Sequence, residues 1–493
     1  MTEQEQRGRQ IYLQGTSPSG REITVVLGIQ QTQVPSASLA CANCHGRTGL
    51  GTSEGGVSPS NLTWDSLTRP YEVTAPSGRK HGPYTESSFK RAVTMGLDAA
   101  GNELQVAMPR FRLSLDDADD LVTYIKKLGR TLDPGLTDTT IRVATIVPAD
   151  GPLADTGQAV KAALQAYIDD LNDRGGLYDR RLELRASTAL TKAGVKRFIQ
   201  NENIFAIVSP LIAGAEKDLV PLFEEEEVPV IGPFTYLPQL GFPIKKHIFY
   251  LYAGVDDQAR ALCHFAAKNL ASPTVALVVP GQGLASDLPA AVRQRCQALS
   301  LKVAPEITLG NDQFNAGQLA TQLSGAGAGT VLFLGSATQT VELSGAAAEI
   351  GWRPNLLLIG SLEGQEVFDI PASFKGRAFI AYPTLPSDWS QDRLRIFAGI
   401  AEHHGLSTKH IASQISAVGA AEILIEGLKR VGKDLSREKL VNQLEGFYGY
   451  KTGLTPAITY GPNRRIGALG AYVVLLNTAK RQLEPAGLWI PLD

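Results

Sequence analysis

Two cysteines separated by two residues and followed at once by a histidine, Cys41-Ala42-Asn43-Cys44-His45, constrain this chain more than any other stretch. Covalent attachment of a c-type haem requires that spacing. The two sulfurs add to the two vinyl groups of the porphyrin, and His45 is then held beneath the ring with a nitrogen free for one axial position on the iron. A single motif implies one haem c per chain. Zinc would want four ligands, and the other cysteines, Cys263 and Cys296, lie far along the chain and far from each other. A thioredoxin-like redox pair would need a strand before the motif and a helix starting at it, and Val34-Pro35-Ser36-Ala37-Ser38 reads as a poor strand.

Iron held in this way takes a sixth ligand, and the three methionines, Met1, Met95 and Met108, make the search short. Met108 is followed by Pro109, which stiffens the loop that must present a weak thioether ligand, so Met108 is the expected partner of His45. Met95 reads as a core residue at a helix end, and His81, within Arg79-Lys80-His81-Gly82-Pro83, as part of a solvated turn. Helices are expected from Glu5 to Gln14, from Glu86 to Met95, and from a cap at Ser114-Leu115-Asp116-Asp117 through Leu128. Between the first helix and the motif the chain passes through Gly15, Pro18 and Gly20, an unusually long insertion. A Gly- and Ser-rich stretch from Gly46 to Ser60 follows the motif, and Trp64 is expected to pack against the porphyrin edge. In identity and order these parts resemble class I c-type cytochromes. The resemblance covers residues 1–131 and implies a small all-α cytochrome c domain that transfers electrons, with the haem on Cys41 and Cys44 and the iron between His45 and Met108.

Composition sets the remaining frame. At 493 residues the chain should hold about three globular units at ~150 residues each. A net charge of −2 gives no basic surplus for nucleic acid. No uninterrupted apolar run reaches the ~18 residues of a membrane span. The polar start, Met1-Thr-Glu-Gln-Glu-Gln, is not a signal peptide, yet haem attachment in bacteria takes place outside the cytoplasm. The expectation is therefore a mature periplasmic form whose leader was replaced by Met1.

Residues 132–140 read as a short polar joint, after which the pattern becomes strand, turn, helix, repeated from Ile141 to the end. Strands are expected at Ile141 to Val147, Leu182 to Arg185, Phe205 to Val208, Val228 to Ile231, Thr274 to Val279, Val331 to Leu334 and Leu356 to Ile359. Helices include Gly157 to Leu171, one through Leu270 and one from Leu288 to Leu299. Such alternation means parallel sheets covered by helices on both faces, with ligand gathering where strands end. The turns that end three of these strands, Pro148-Ala149-Asp150-Gly151-Pro152, Ser209-Pro210 and Gly232-Pro233-Phe234-Thr235, would converge on one crevice. Two features that suggest other chemistry carry bland readings: Glu224 to Glu227 is a solvated helix end, and His403-His404 points two ways from a helix; no phosphate loop, nucleophile elbow or His-Glu-x-x-His occurs. An enzyme is therefore the minority reading.

Val228-Pro229-Val230-Ile231-Gly232-Pro233, Asp256-Asp257-Gln258-Ala259 and the terminal strand Ala471 to Leu476 resemble the type I periplasmic solute-binding proteins, similar to the branched-chain amino acid receptors of ABC transporters. The resemblance runs over 141–493 and implies lobe 1 at about 141–252 and 382–445, lobe 2 at about 253–381 and 446–493, and a small organic solute between them. It also implies that serine or threonine hydroxyls and backbone amides of lobe 1 hold a ligand carboxylate, while an acidic residue of lobe 2, here Glu363, holds its ammonium. Ala213 stands where the first hydroxyl is expected, and Tyr236 where the second is, with Thr235 beside it. Ala149, Ile212, Phe234 and Tyr252 complete the expected cleft, whose aromatic character suits an apolar solute with one polar handle rather than an ordinary α-amino acid. Ser209 or Thr235 supplies the missing hydroxyl if the alignment slips by one residue. The expected partners are an ABC permease and a periplasmic redox protein; the alternative is an electron carrier whose receptor-like part docks onto a dehydrogenase. Whether Cys263 and Cys296 are bridged stays open.

Overall fold

The computed structural model describes residues 2–492 apart from 29, 52–57, 76–77, 130–131, 152, 241–242, 281–287, 311–312 and 488. Met1, Pro152, two residues of the connector that follows Gly129 and the centre of the Gly- and Ser-rich stretch therefore lie outside the described residues. The chain forms two units, Met1–Asp133 and Pro134–Asp493.

In the first unit, helix Glu3–Gln14 opens on a capping box between Thr2 and Glu5 and closes at Gly15 in the left-handed region. It crosses helix Leu115–Ile125 at contact distance. A Cβ on Gly8 would stand 1.9 Å from the carbonyl oxygen of Asp120, so only glycine allows the crossing. Tyr12 and Tyr124 meet beside it with ring centroids 5.4 Å apart, and Arg7 pairs with Asp120 at 2.7 Å. Ser114 caps the second helix, its hydroxyl accepting from the Asp117 amide at 3.1 Å.

The long insertion is structured. Thr24–Leu27 and Thr32–Pro35 pair as an antiparallel hairpin, and Arg110–Arg112 adds a third strand. The largely helical unit thus carries this small sheet and a second, two-stranded one that pairs Val73–Thr74 with Lys80–His81, and Val34 and Pro35 lie in a strand after all. Thr32–Pro35 is an edge strand of that sheet, where proline's missing N–H removes no ladder bond, and the pairing of Val34 with Val25 supplies what local propensity lacks. A 3₁₀ turn, Ser36–Leu39, then separates this strand from the short helix Cys41–His45.

The second unit has two sheets. The first runs Ile466–Ala468, Ile248–Tyr252, Val230–Ile231, Ala206–Val208, Thr140–Ile146, Arg181–Ser187, all parallel. The second begins Lys302–Leu309, Thr274–Pro280, Thr330–Phe333, Asn355–Ile359, Ala378–Tyr382 in parallel and ends on the antiparallel Gly470–Asn477 and Gln482–Pro485. These sheets define the lobes. The final return to lobe 2 comes at residue 469, not near 446 as expected. Phe447, Ile458 and Tyr460 are buried in the lobe 1 core, and Ile466–Ala468 pairs with Ile248–Tyr252 before the chain crosses.

Helix Ile411–Val431 is long and apolar enough to cross a membrane by length and composition, but it is a core helix of lobe 1, packed against Ala154–Asp173 and the sheet. In lobe 2, Cys263 and Cys296 form a disulfide with Cα atoms 5.5 Å apart, joining helices Val255–Asn269 and Leu288–Ala298. The Glu224–Glu227 run is engaged in pairing. Glu224 meets His247 at 3.2 Å, and Glu225 and Glu226 meet Lys196. No three or more His, Cys, Asp or Glu side chains stand together so as to hold a metal ion among the described residues.

Candidate functional site

The first unit encloses a cavity of about 490 Å³ lined by Cys41, Cys44, His45, Met108, Phe89 and Phe111, among others. The helical turn Cys41–His45 brings the two thiols and the imidazole to it, and the Tyr12 hydroxyl anchors the turn's end by donating to the Gly46 carbonyl at 2.6 Å. His45 is buried, with Nδ1 2.9 Å from the Ser60 carbonyl oxygen. That carbonyl can only accept, so Nδ1 carries the proton and the lone pair of Nε2 is free for a metal. Burial also holds the His45 pKa below its ordinary value, which favours the neutral, ligating ring. Cys41 and Cys44 are not bridged to each other. Burial pushes the Cys41 thiol up to about 12, the opposite of the lowered value that marks a thioredoxin-like nucleophile.

Met108 sits in a pinned loop. Its amide donates to the Gln105 carbonyl at 3.0 Å, and the Arg110 guanidinium donates to the carbonyls of Met108 and Leu104. Met95 is 68% exposed and outside the cavity lining. His81, expected in a solvated turn, instead lines the cavity with its ring against Tyr84 at 5.0 Å between centroids. Trp64 does not line it. Its ring packs edge-on against Phe89, which does. Sequence reasoning missed Arg79 on the cavity wall, paired at 2.6 Å with the fully buried Asp98. Burial opposes ionisation of Asp98, but bonds from Asn102 and the Ala100 amide, with the Arg79 charge, outweigh it and hold that carboxyl below the usual range. A largely apolar cavity with an imidazole, a thioether and two unbridged thiols on its walls fits a haem.

In the second unit, the expected cleft residues stand mostly on loops that leave the carboxyl ends of strands. Ala149 is exposed after Thr140–Ile146. Ile212 is not available: its side chain is fully buried in the lobe 1 core, and its amide donates to the Phe234 carbonyl at 3.0 Å. The same bond holds the Ala213 and Phe234 loops together. Thr235 has its hydroxyl committed to Glu216 at 2.7 Å, and Tyr236 is 37% exposed. Ser209 is fully buried with its hydroxyl unpartnered among the described residues. Tyr252 shares a 3.2 Å contact with the Ser416 hydroxyl, and burial raises its phenol to about 12.

Glu363 stands on lobe 2, after Asn355–Ile359. Gln258 fixes its loop, donating to the Ser361 hydroxyl at 2.7 Å. Oε1 of Glu363 accepts from Thr340 at 2.8 Å, while Oε2 is buried with no partner among the described residues. Burial, opposed by the Thr340 bond and helped by Glu366, raises this carboxyl to about 7.

A two-lobed α/β unit with loops gathered at its strand ends, preceded by a helical domain built around a Cys-x-x-Cys-His turn, has the architecture of a solute-binding protein joined to a cytochrome c domain. Residues 140–480 match the periplasmic binding protein family and residues 36–129 match cytochrome c. The chain belongs to the periplasmic binding protein family and carries an N-terminal cytochrome c domain. It is 23% identical over 332 residues to the Leu/Ile/Val-binding protein BraC3 of Rhizobium johnstonii, covering 65% of this chain and 87% of that one. It is likewise 23% identical over 303 residues to a leucine-, isoleucine-, valine-, threonine- and alanine-binding protein of Pseudomonas aeruginosa, covering 60% and 79%. Among solved structures, a branched-chain amino acid ABC transporter protein from Thermus thermophilus with bound valine matches at a TM-score of 0.59 and 19% identity, over 73% of this chain and 97% of that one. A fatty acid ABC transporter substrate-binding protein from Thermomonospora curvata matches at 0.58 and 19%, over 74% and 95%. At these identities the likeness is one of fold.

Proposed function

We propose that this is a periplasmic solute-binding protein of the ABC-transporter type that captures a small organic ligand between its lobes and carries one covalently attached haem c. The observation that carries the reading is the single cavity that gathers Cys41, Cys44, His45 and Met108 in a chain whose other unit is a receptor. Cys41 and Cys44 would form the thioethers. His45, held in one tautomer by Ser60, and Met108, held by the Arg110 clamp, would ligate the iron. A bound haem would supply one-electron transfer, and with both His45 and Met108 engaged as its ligands the domain would act as a carrier rather than a catalyst. In the receptor unit, Phe234, Tyr236 and Tyr252 would supply apolar contact from lobe 1 and Glu363 a hydrogen-bond acceptor from lobe 2. Ala213 and Ala149 would line the cleft without directing it. An ABC permease would receive the solute and a periplasmic redox protein the electron.

Native purification and intact mass spectrometry test this reading. The expected mass exceeds that of the polypeptide by one haem, attached to the peptide containing Cys41 and Cys44, with a solute retained under non-denaturing conditions. A chain that takes electrons from a dehydrogenase yet never retains a solute would be an electron carrier with a docking module. A chain without haem would overturn the cytochrome half.

A further inference from the structure

Glu216 is the first residue of helix Glu216–Glu225 and is almost fully buried. One of its carboxylate oxygens accepts from the Gly214 amide at 2.7 Å and the other from the Thr235 hydroxyl at 2.7 Å. Gly214 and Thr235 lie on the two loops that leave the carboxyl ends of Ala206–Val208 and Val230–Ile231, where a parallel sheet turns its donors toward ligand. A backbone amide and a hydroxyl converging on one carboxylate form a small anion site, and here the chain's own side chain fills it. A second carboxylate arriving at these loops would find both donors taken and a like charge in their place. On the other lobe the shortage is reversed. Glu363 has one oxygen satisfied by Thr340 and one buried oxygen with no donor among the described residues. A buried acceptor without a donor costs about 1–3 kcal/mol, which a ligand's N–H or O–H would recover.

We propose, resting on the receptor reading above, that the cleft selects solutes that carry an amine or hydroxyl on an apolar body and discriminates against those that carry a carboxylate. Glu216 is the discriminating residue. It withholds the Gly214 and Thr235 donors and supplies the repulsion, while Glu363 takes the ligand's donor. Phe234, Tyr236 and Tyr252 take the apolar body.

The test uses the full haem-containing chain and calorimetry with two matched series, in each of which the amine and alcohol lack the amino acid's carboxylate: phenylalanine, 2-phenylethylamine and 2-phenylethanol, then leucine, 3-methylbutylamine and 3-methyl-1-butanol. The amine or alcohol is expected to bind at least tenfold more tightly than the amino acid of the same series. Glu363→Gln should weaken that binding tenfold or more, and Glu216→Gln should narrow the gap by improving amino acid binding. The wild-type comparison stands even if Glu216→Gln fails to fold. An amino acid that binds as tightly as its decarboxylated partner overturns the inference and leaves the receptor reading intact. If all six probes fail, the co-purified solute decides. A solute without a carboxylate supports the inference, one with a carboxylate overturns it, and a cleft that never carries a solute overturns the receptor reading together with it.

Discussion

Glu363→Gln isolates the energetic consequence of burying that carboxyl. Its ordinary value of 4.5 rises to about 7 in the folded chain, with burial as the largest cause. Between those values the folded chain keeps a proton that the unfolded chain has released. Stability therefore falls as pH rises from about 4.5 to about 7, and is level beyond. At about 1.4 kcal/mol for each tenfold in proton affinity, the loss comes to about 3 kcal/mol. Glutamine stays neutral throughout and lacks this loss. The stability of the variant relative to wild type should thus improve by about 3 kcal/mol between pH 4.5 and pH 8. Any fixed cost of the new amide, such as an unpartnered N–H at the position of Oε2, cancels in that difference.

Hydrogen exchange of the Leu356–Ile359 amides, in the strand that leads to Glu363, reads the opening of this lobe without requiring the whole chain to unfold as one. Variant and wild type are compared at each pH, so intrinsic exchange rates cancel. The protection ratio should change on the order of a hundredfold across the window where global opening of the lobe governs exchange. An unchanged ratio at the two pH values would refute the argument, because it would mean that the carboxyl titrates alike in the folded and unfolded chains.

Met108→Ala in haem-loaded protein should abolish the methionine–iron charge-transfer band at the red end of the spectrum and lower the reduction potential; an unchanged band would remove Met108 as a ligand and direct attention to His81 in the same cavity. The Cys263–Cys296 disulfide spans a sequence separation of 33, so opening it by Cys296→Ser should cost about 3.7 kcal/mol, seen as a lower denaturant midpoint for the receptor unit. Thiol titration of the unfolded, unreduced holoprotein should find none, and two would dispose of the bridge. Gly8→Ala should destabilise the cytochrome unit by about 1–3 kcal/mol through overpacking at the helix crossing, measured by the loss of haem absorbance in denaturant, and an unchanged midpoint would show that the helices part at little cost.

The elements legible in the sequence are those whose own residues specify them. The helix over Glu86–Met95 shows its apolar face in Phe89, Ala92 and Val93, and the strand Asn355–Ile359 is a continuous apolar run. What was hidden depends on distant partners. Thr24–Leu27 is short and becomes a central strand because Arg110–Arg112, far along the chain, pairs with its other edge. Residues 446–468 contain no long periodic segment, so the burial of Phe447, Ile458 and Tyr460 and the pairing of Ile466–Ala468 with Ile248–Tyr252 assign them to lobe 1. His81 was misplaced for the same reason: Arg, Lys, Gly and Pro around it read as a solvated turn, while its own ring turns inward onto the cavity.

Glu216 shows where sequence reading reaches its limit at the candidate site. An acidic residue in the first turn of a helix has a sufficient local explanation, since it favours the positive end of the helix dipole. Thr235 likewise reads as a hydroxyl near the cleft and therefore as a donor for ligand. Each residue has a reasonable local reading, yet in the fold Glu216 engages the Thr235 hydroxyl. The residues are nineteen positions apart, one at a helix start and one on the loop after another strand, and no spacing rule joins them. Once the parallel strands Ala206–Val208 and Val230–Ile231 lie side by side, their following loops must be neighbours. A buried carboxylate beside a free hydroxyl and a free amide will take both, because leaving any of the three unpaired costs more than pairing them. The fold therefore converts two ordinary residues into one occupied anion site, and in the inference drawn above the chemistry the cleft would accept follows from that pairing rather than from either residue alone.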